Sequence, residues 1–233
     1  LIIRKGAGMK IPEDWLFNAN NTNDDAIGIM YVKDDTLRWR KKVSPKWTDV
    51  CEFADEIEPY NSAIHFRMRT SGENDLTCAH PLRILKRNKH GRNLLMMHNG
   101  ILAVKPSDIS KSDTWEFCQF LRSILSKEPD LIGDDSFLET VGSIIGHANK
   151  MLFLTEDMKF HVVNPSAWIE KDGLLLSNIY SIGSTLYGQD WGYSFPDKYG
   201  YQSKEVDRLS YLPHYLKDDR YDYVPRKSIL EEE

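Results

Sequence analysis

Four short apolar segments follow one another between residues 151 and 181: MLFLTE, KFHVVNP, AWIEKDG and LLLSNIYS, with turns over 157–159 and 171–173. Each reads as a strand. Strands joined by so few residues pair antiparallel, because a parallel pair needs a crossover of about a dozen residues. Near the start, AIGIMYV (26–32) and TLRWRKK (36–42) flank Asp34 and Asp35, a second strand–turn–strand signal. Leu1 to Ile3 is an apolar start that suits a short strand. AIHFRMR (63–69) alternates, with Ile64, Phe66 and Met68 on one side and His65, Arg67 and Arg69 on the other. NLLMMHNGIL (93–102) reads as a buried strand entering a turn at Asn99 and Gly100.

Helical patterns separate these strands. Pro12 to Ala19 starts with Pro and acids, and a second helix fits 48–57. Ser112 is a good N-cap for a helix over 113–126, and another helix fits 135–147. Strands, then two central helices, then strands again make an α+β chain with mostly antiparallel sheets, not a regular β-α-β alternation. From about Gly188 the chain turns rich in Tyr, Gly, Pro and charge, so we expect a domain over 1–185 and an irregular C-terminal extension over 186–233.

Composition limits the function classes. The formal net charge is −5 with a pI near 5.8, which argues against general nucleic-acid binding. No apolar run approaches the roughly 20 residues that span a bilayer, and LIIRKGAG lacks the apolar stretch of a signal peptide. The three cysteines, Cys51, Cys78 and Cys118, are sparse and form no C-x-x-C. They read as reduced thiols of a cytoplasmic protein, with no disulfide framework and no zinc site.

Three clusters can carry chemistry. In the first, His65-x-Arg67-x-x-Thr70-x-Gly72, Arg67 can grip a carboxylate with its planar fork, or be a surface arginine on a strand. In the second, His98-Asn99-Gly100, a side-chain amide and a Gly N–H can aim two donors at one point, or form a plain Asn-Gly turn. In the third, Ser112-Asp113-Thr114, Asp113 can meet a ligand ammonium, or act only as a first-turn acid.

HFRMRTSG (65–72), Ala79-His80-Pro81, MHNGIL (97–102) and SDT (112–114), in that order, resemble the class II glutamine amidotransferase domain. DDAIGIMYV (24–32) and the strands from MKFHVVN to LLLSN are similar to further segments of that family, so the resemblance covers about residues 1–180. It implies an N-terminal-nucleophile hydrolase: a four-layer αββα sandwich of two antiparallel sheets, with no metal and no cofactor. It also implies a cysteine nucleophile whose own α-amine is the general base, an amine that ordinarily titrates near 7.7–8.0.

On that resemblance Asn99 and the Gly100 N–H hold the oxyanion. Arg67 pairs with the α-carboxylate of glutamine and Asp113 with its α-ammonium, while Thr70 and Ser71 add polar contacts. The chain departs from the pattern at its start, where Leu1 stands in place of cysteine, so the nucleophile is expected immediately before Leu1. Cys78, in the loop before His80, is a weaker substitute, and Cys118 reads as core. Met68 and Arg69 also depart from the pattern, which leaves another amide open as the substrate. His65 and His98 read as structural.

Family members pass ammonia to a synthetase or isomerase domain, and the 45–50 residues that remain are too few for one, so the resemblance leaves two expectations: ammonia goes to a separate accepting protein, or the chain is a standalone amidase. The compact form is similar to standalone versions in bacteriophages and bacteria. Two other functions stay open: an N-terminal-cysteine amidase on a different amide, and a catalytically inactive binding or assembly protein on the same scaffold.

Overall fold

The computed structural model describes residues 1–86 and 93–182. The expected domain boundary at 185/186 and the whole extension over 186–233 lie outside the described residues.

Among the described residues, ten strands and four α-helices follow in the order β1 (Ile2–Lys5), α1 (Glu13–Thr22), β2 (Ala26–Lys33), β3 (Thr36–Val43), α2 (Trp47–Ile57), β4 (Ser62–Arg67), β5 (Leu82–Leu85), β6 (Leu94–Asn99), α3 (Asp113–Leu125), α4 (Asp135–Ile145), β7 (Lys150–Thr155), β8 (Phe160–Val163), β9 (Ile169–Lys171) and β10 (Leu174–Leu176). Every strand pair is antiparallel. One sheet runs β3-β2-β4-β1-β10-β9 and the other β5-β6-β7-β8.

Three apolar layers stack the chain. Ile27, Ile29, Ile64 and Phe66 of the six-stranded sheet pack on Trp15 and Leu16 of α1 and Val50, Phe53 and Ile57 of α2. Met96, Met151 and Phe153 of the four-stranded sheet pack on Phe117 and Leu121 of α3 and Val141 and Ile145 of α4. Between the sheets, Ile2, Met30 and Ala63 meet Leu95, Met97, Leu152 and Leu154. This is the four-layer αββα sandwich. Side chains alternate across a strand, so both faces of the central strands are buried, and each fully buried Ile, Leu or Met contributes about 1.5–3 kcal/mol.

The four late strands divide between the sheets. β7 and β8 form a hairpin in one sheet and β9 and β10 a hairpin in the other. The crossing is a 3-10 turn over Pro165–Ala167, entered through Asn164 in the left-handed conformation.

The starts of α3 and α4 are capped by side chains. Ser112 Oγ accepts the Trp115 N–H at 3.1 Å, and Asp134 accepts from Ser136 and Phe137 at the head of α4. One detail differs from expectation: β4 stops at Arg67, short of the strand expected over 63–69, leaving Met68 and Arg69 exposed in the following loop, while β5 forms in a segment to which no element is assigned from sequence. Among the described residues no helix is long and apolar enough to cross a membrane.

Candidate active site

The three sequence clusters converge at one end of the sandwich, where β4 ends on one sheet and β6 on the other. Arg67 is buried and is not a surface arginine. The face it shares with His65 points toward the second sheet, since His65 Nε2 lies 3.1 Å from His98 O on β6. The Arg67 guanidinium gathers the loop that follows. Nη1 donates to Glu73 O at 3.0 Å and Asn74 Oδ1 at 3.4 Å, and Nη2 donates to Ser71 O at 3.1 Å. Burial lowers its pKa from the usual arginine range. Thr70 is exposed on that loop and Ser71 is half-buried.

Asp113, the first residue of α3, is buried and fully engaged. Oδ1 accepts from Ser71 Oγ at 3.0 Å, Thr114 N at 2.7 Å and Thr114 Oγ1 at 3.3 Å, and Oδ2 accepts from Leu102 N at 2.6 Å. A carboxylate has about four acceptor sites, so these contacts nearly exhaust it. Its ties join the Ser71 loop, the segment after Gly100 and α3.

The Asn99–Gly100 corner ends β6 and leads into the long segment before α3, so it is not a two-residue hairpin. Gly100 has φ +139°, and a Cβ there would collide with Asn149 Oδ1. Only glycine fits both constraints. Asn99 Oδ1 accepts from Asn178 Nδ2 at 2.8 Å. The Asn99 Nδ2 group has no partner among the described residues and is left as a half-exposed donor.

Three buried histidines lie beneath this corner. His65 Nε2 faces both His98 O and His80 Nδ1 at 3.1 Å. A carbonyl oxygen only accepts, so His65 carries its proton on Nε2 and His80 Nδ1 is the acceptor. A second proton on His80 Nδ1 would face that N–H head-on. Burial, with the neighbouring histidines and Arg67, holds His65 and His80 well below the usual imidazole range. His98 is lowered by burial too, against the pull of Asp113. Its ring lies 2.8 Å from Thr114 Oγ1 and 3.0 Å from Asn149 Oδ1. Gly28, opposite His65 on β2, lets the His80 carbonyl approach where a Cβ would collide.

The reading of His65 and His98 as structural fits this packing, but the sequence showed neither their link through His80 nor the parts of Asn149 and Asn178. These last two are single polar residues in ordinary contexts, and only their contacts single them out. Cys78 is buried beside Gly72, with its thiol 3.6 Å from Ser110 O. Cys118 is core on α3, where burial pushes the thiol up to about 11. Among the described residues no group of three or more His, Cys, Asp or Glu side chains is arranged to hold a metal.

The fold and corner define an α+β sandwich whose polar site lies between two strand ends of opposite sheets. No protein-family model and no curated protein match the chain. Similar solved structures include the allosteric regulatory enzyme of purine biosynthesis, at 16% identity and TM-score 0.49. They also include glutamine phosphoribosylpyrophosphate amidotransferase from B. subtilis, complexed with ADP and GMP, at 15% identity and TM-score 0.48. Each alignment covers 78% of this chain and 42% of the neighbour. Neither likeness bears on the chemistry of this chain.

Proposed function

We propose that this domain hydrolyses the side-chain amide of glutamine, releasing ammonia to a separate acceptor, with a cysteine immediately before Leu1 as nucleophile. The observation that carries the proposal is strand register. Ile2 stands opposite His65 on β4, and Leu1 and Phe66 exchange N–H···O bonds of 2.9 and 2.8 Å. The next position out therefore falls opposite Arg67. Alternation gives it the face of Ile2, which lies between the sheets, the face that Asn99 and Arg67 also share.

In the reaction the cysteine thiol gives its proton to the α-amine of the same residue, and its sulfur attacks the amide carbon. The carbonyl oxygen becomes an oxyanion, met by the Asn99 amide N–H and the Gly100 N–H. Collapse breaks the C–N bond and ammonia leaves with the proton from the amine. Water then cleaves the thioester, yielding glutamate and the free thiol. Arg67 and Asp113 would hold the amino-acid head group, with Thr70 and Ser71 at its edge. For this, Asp113 must exchange a present partner, such as the Ser71 hydroxyl, for the ligand ammonium.

That cost favours a second reading: an amide without a free α-ammonium, cleaved by the same nucleophile. The test uses protein whose leading cysteine is verified by intact mass. Ammonia release from glutamine that is lost when that cysteine is replaced by alanine supports the first reading. Faster cleavage of Nα-acylglutamine than of glutamine supports the second. No release from any amide leaves the scaffold as a binding protein.

A further inference from the structure

We infer that Asn178 is a positioning residue that sets the orientation of the Asn99 amide, an inference resting on the oxyanion role proposed above for Asn99. A side-chain amide is nearly symmetric in shape, and rotation about its last torsion exchanges donor for acceptor. An oxyanion site tolerates only one of the two states. With NH₂ inward it stabilises the developing charge. With oxygen inward it repels it.

The hydrogen-bond chain selects one state from an unambiguous starting point. The Tyr180 backbone N–H can only donate, and it meets Asn178 Oδ1 at 3.2 Å. That fixes the oxygen of Asn178 on the Tyr180 side and turns its Nδ2 to Asn99, where it donates to Oδ1 at 2.8 Å. The Asn99 oxygen is thus held by Asn178 and its NH₂ is directed elsewhere, with no protein partner among the described residues.

The placement of Asn178 is equally specific. Asn99 ends β6 of the four-stranded sheet, while Asn178 follows β10 of the other. Its neighbour Ser177 is buried and clamps the start of β1, accepting the Ile2 N–H on Oγ at 2.8 Å and donating its own N–H to Ile2 O at 3.0 Å. Two consecutive residues therefore tie down the strand end next to the proposed nucleophile and orient the oxyanion donor across the sheet interface.

Asn178→Asp tests this directly. An aspartate still accepts from Tyr180 N–H, so the local turn survives, but it cannot donate to Asn99 Oδ1. It attracts the Asn99 NH₂ instead and turns the oxygen inward. In the enzyme with its leading cysteine, kcat for glutamine should fall about 10²-fold, near the loss of an entire oxyanion donor, with KM changed less than about threefold. Combined with Asn99→Ala, the same substitution should cost less than about twofold further. An unchanged kcat, or an equal loss in both backgrounds, overturns the inference.

A second readout separates this from failure of the amidase reading. By ¹⁵N side-chain NMR, the Asn178 NH₂ should be protected from exchange in the wild type and the Asn99 NH₂ should not. In Asn178→Asp the Asn99 NH₂ should shift and gain protection. An Asn99 signal that does not respond overturns the positioning role even in a protein that cleaves no amide. A wild type that releases no ammonia, with the Asn99 signal responding as expected, removes only the amidase reading.

Discussion

Asp113 holds Leu102 by a 2.6 Å hydrogen bond from the Leu102 N–H to Oδ2, two residues beyond Gly100. The carboxylate that heads α3 therefore also fixes the segment leaving the Asn99 corner. The sequence shows only a first-turn acid, worth about 1 kcal/mol at most in an exposed setting.

The first prediction follows from that bond. Asp113→Asn keeps one acceptor oxygen and turns an NH₂ toward existing donors. Hydrogen bonds to charged groups are worth about 1.5–3 kcal/mol each, so we expect a loss of about 2–3 kcal/mol in chemical denaturation. A loss below about 1 kcal/mol would mean that the four contacts do not anchor the corner.

Gly100→Ala meets two obstacles, φ +139° and the Asn149 side chain. Backbone strain of this kind costs about 1–3 kcal/mol, and the collision adds to it. Asn149→Ala lowers stability by itself, because Asn149 Oδ1 pairs with His98 and its Nδ2 donates to Ile145 O. It should lower the thermal unfolding midpoint less in the Gly100→Ala background, where it also removes the collision, than in the wild type. An equal lowering in both backgrounds would indicate that backbone conformation alone makes alanine costly.

Arg67→Lys replaces a three-contact guanidinium with a single ammonium, which cannot span Ser71 O, Glu73 O and Asn74 Oδ1. Residues 70–74 should exchange amide hydrogens faster while β4 stays protected, and KM for an active substrate should rise more than kcat falls. Unchanged exchange in 70–74 would show that the loop holds itself.

The buried histidines make stability pH-dependent. His65 and His80 titrate well below 6.5 in the folded chain and near 6.5 when unfolded. Below 6.5 the unfolded state binds more protons, so their contribution is complete above about pH 7.5 and is lost as pH falls through 6.5. Each histidine that stays neutral contributes a slope of up to about 1.4 kcal/mol per pH unit. Denaturation at pH 7.5 and 5.5 should show the decline, and His80→Gln should lessen it relative to wild type. An equal pH dependence in that variant would assign the decline to other groups.

Much of the fold was legible because it depends on local pattern. The strand–turn–strand signal around Asp34–Asp35, the alternation in 63–69 and a capping Ser112 each act within a few residues, and the corresponding elements are present, with β4 ending at Arg67. The turns within β7–β8 and within β9–β10 set antiparallel pairing for the same reason, whereas β8 and β9, also joined by few residues, go to different sheets. The motif order brought Arg67, Asn99, Gly100 and Asp113 forward as a group.

Tertiary structure alone decided the rest, because those properties depend on what faces what across the two sheets. Alternation tells that His65 and Arg67 share a side, but not that this side is buried against β6. The split of β7–β8 and β9–β10 between sheets follows from where Asn164 turns the chain. The saturation of Asp113, the histidine stack on His98 O and the Asn178–Asn99 bond join residues 11 to 79 positions apart. No periodicity reports such pairs: they exist only once burial removes water and favours arrangements in which polar atoms meet partners inside the chain.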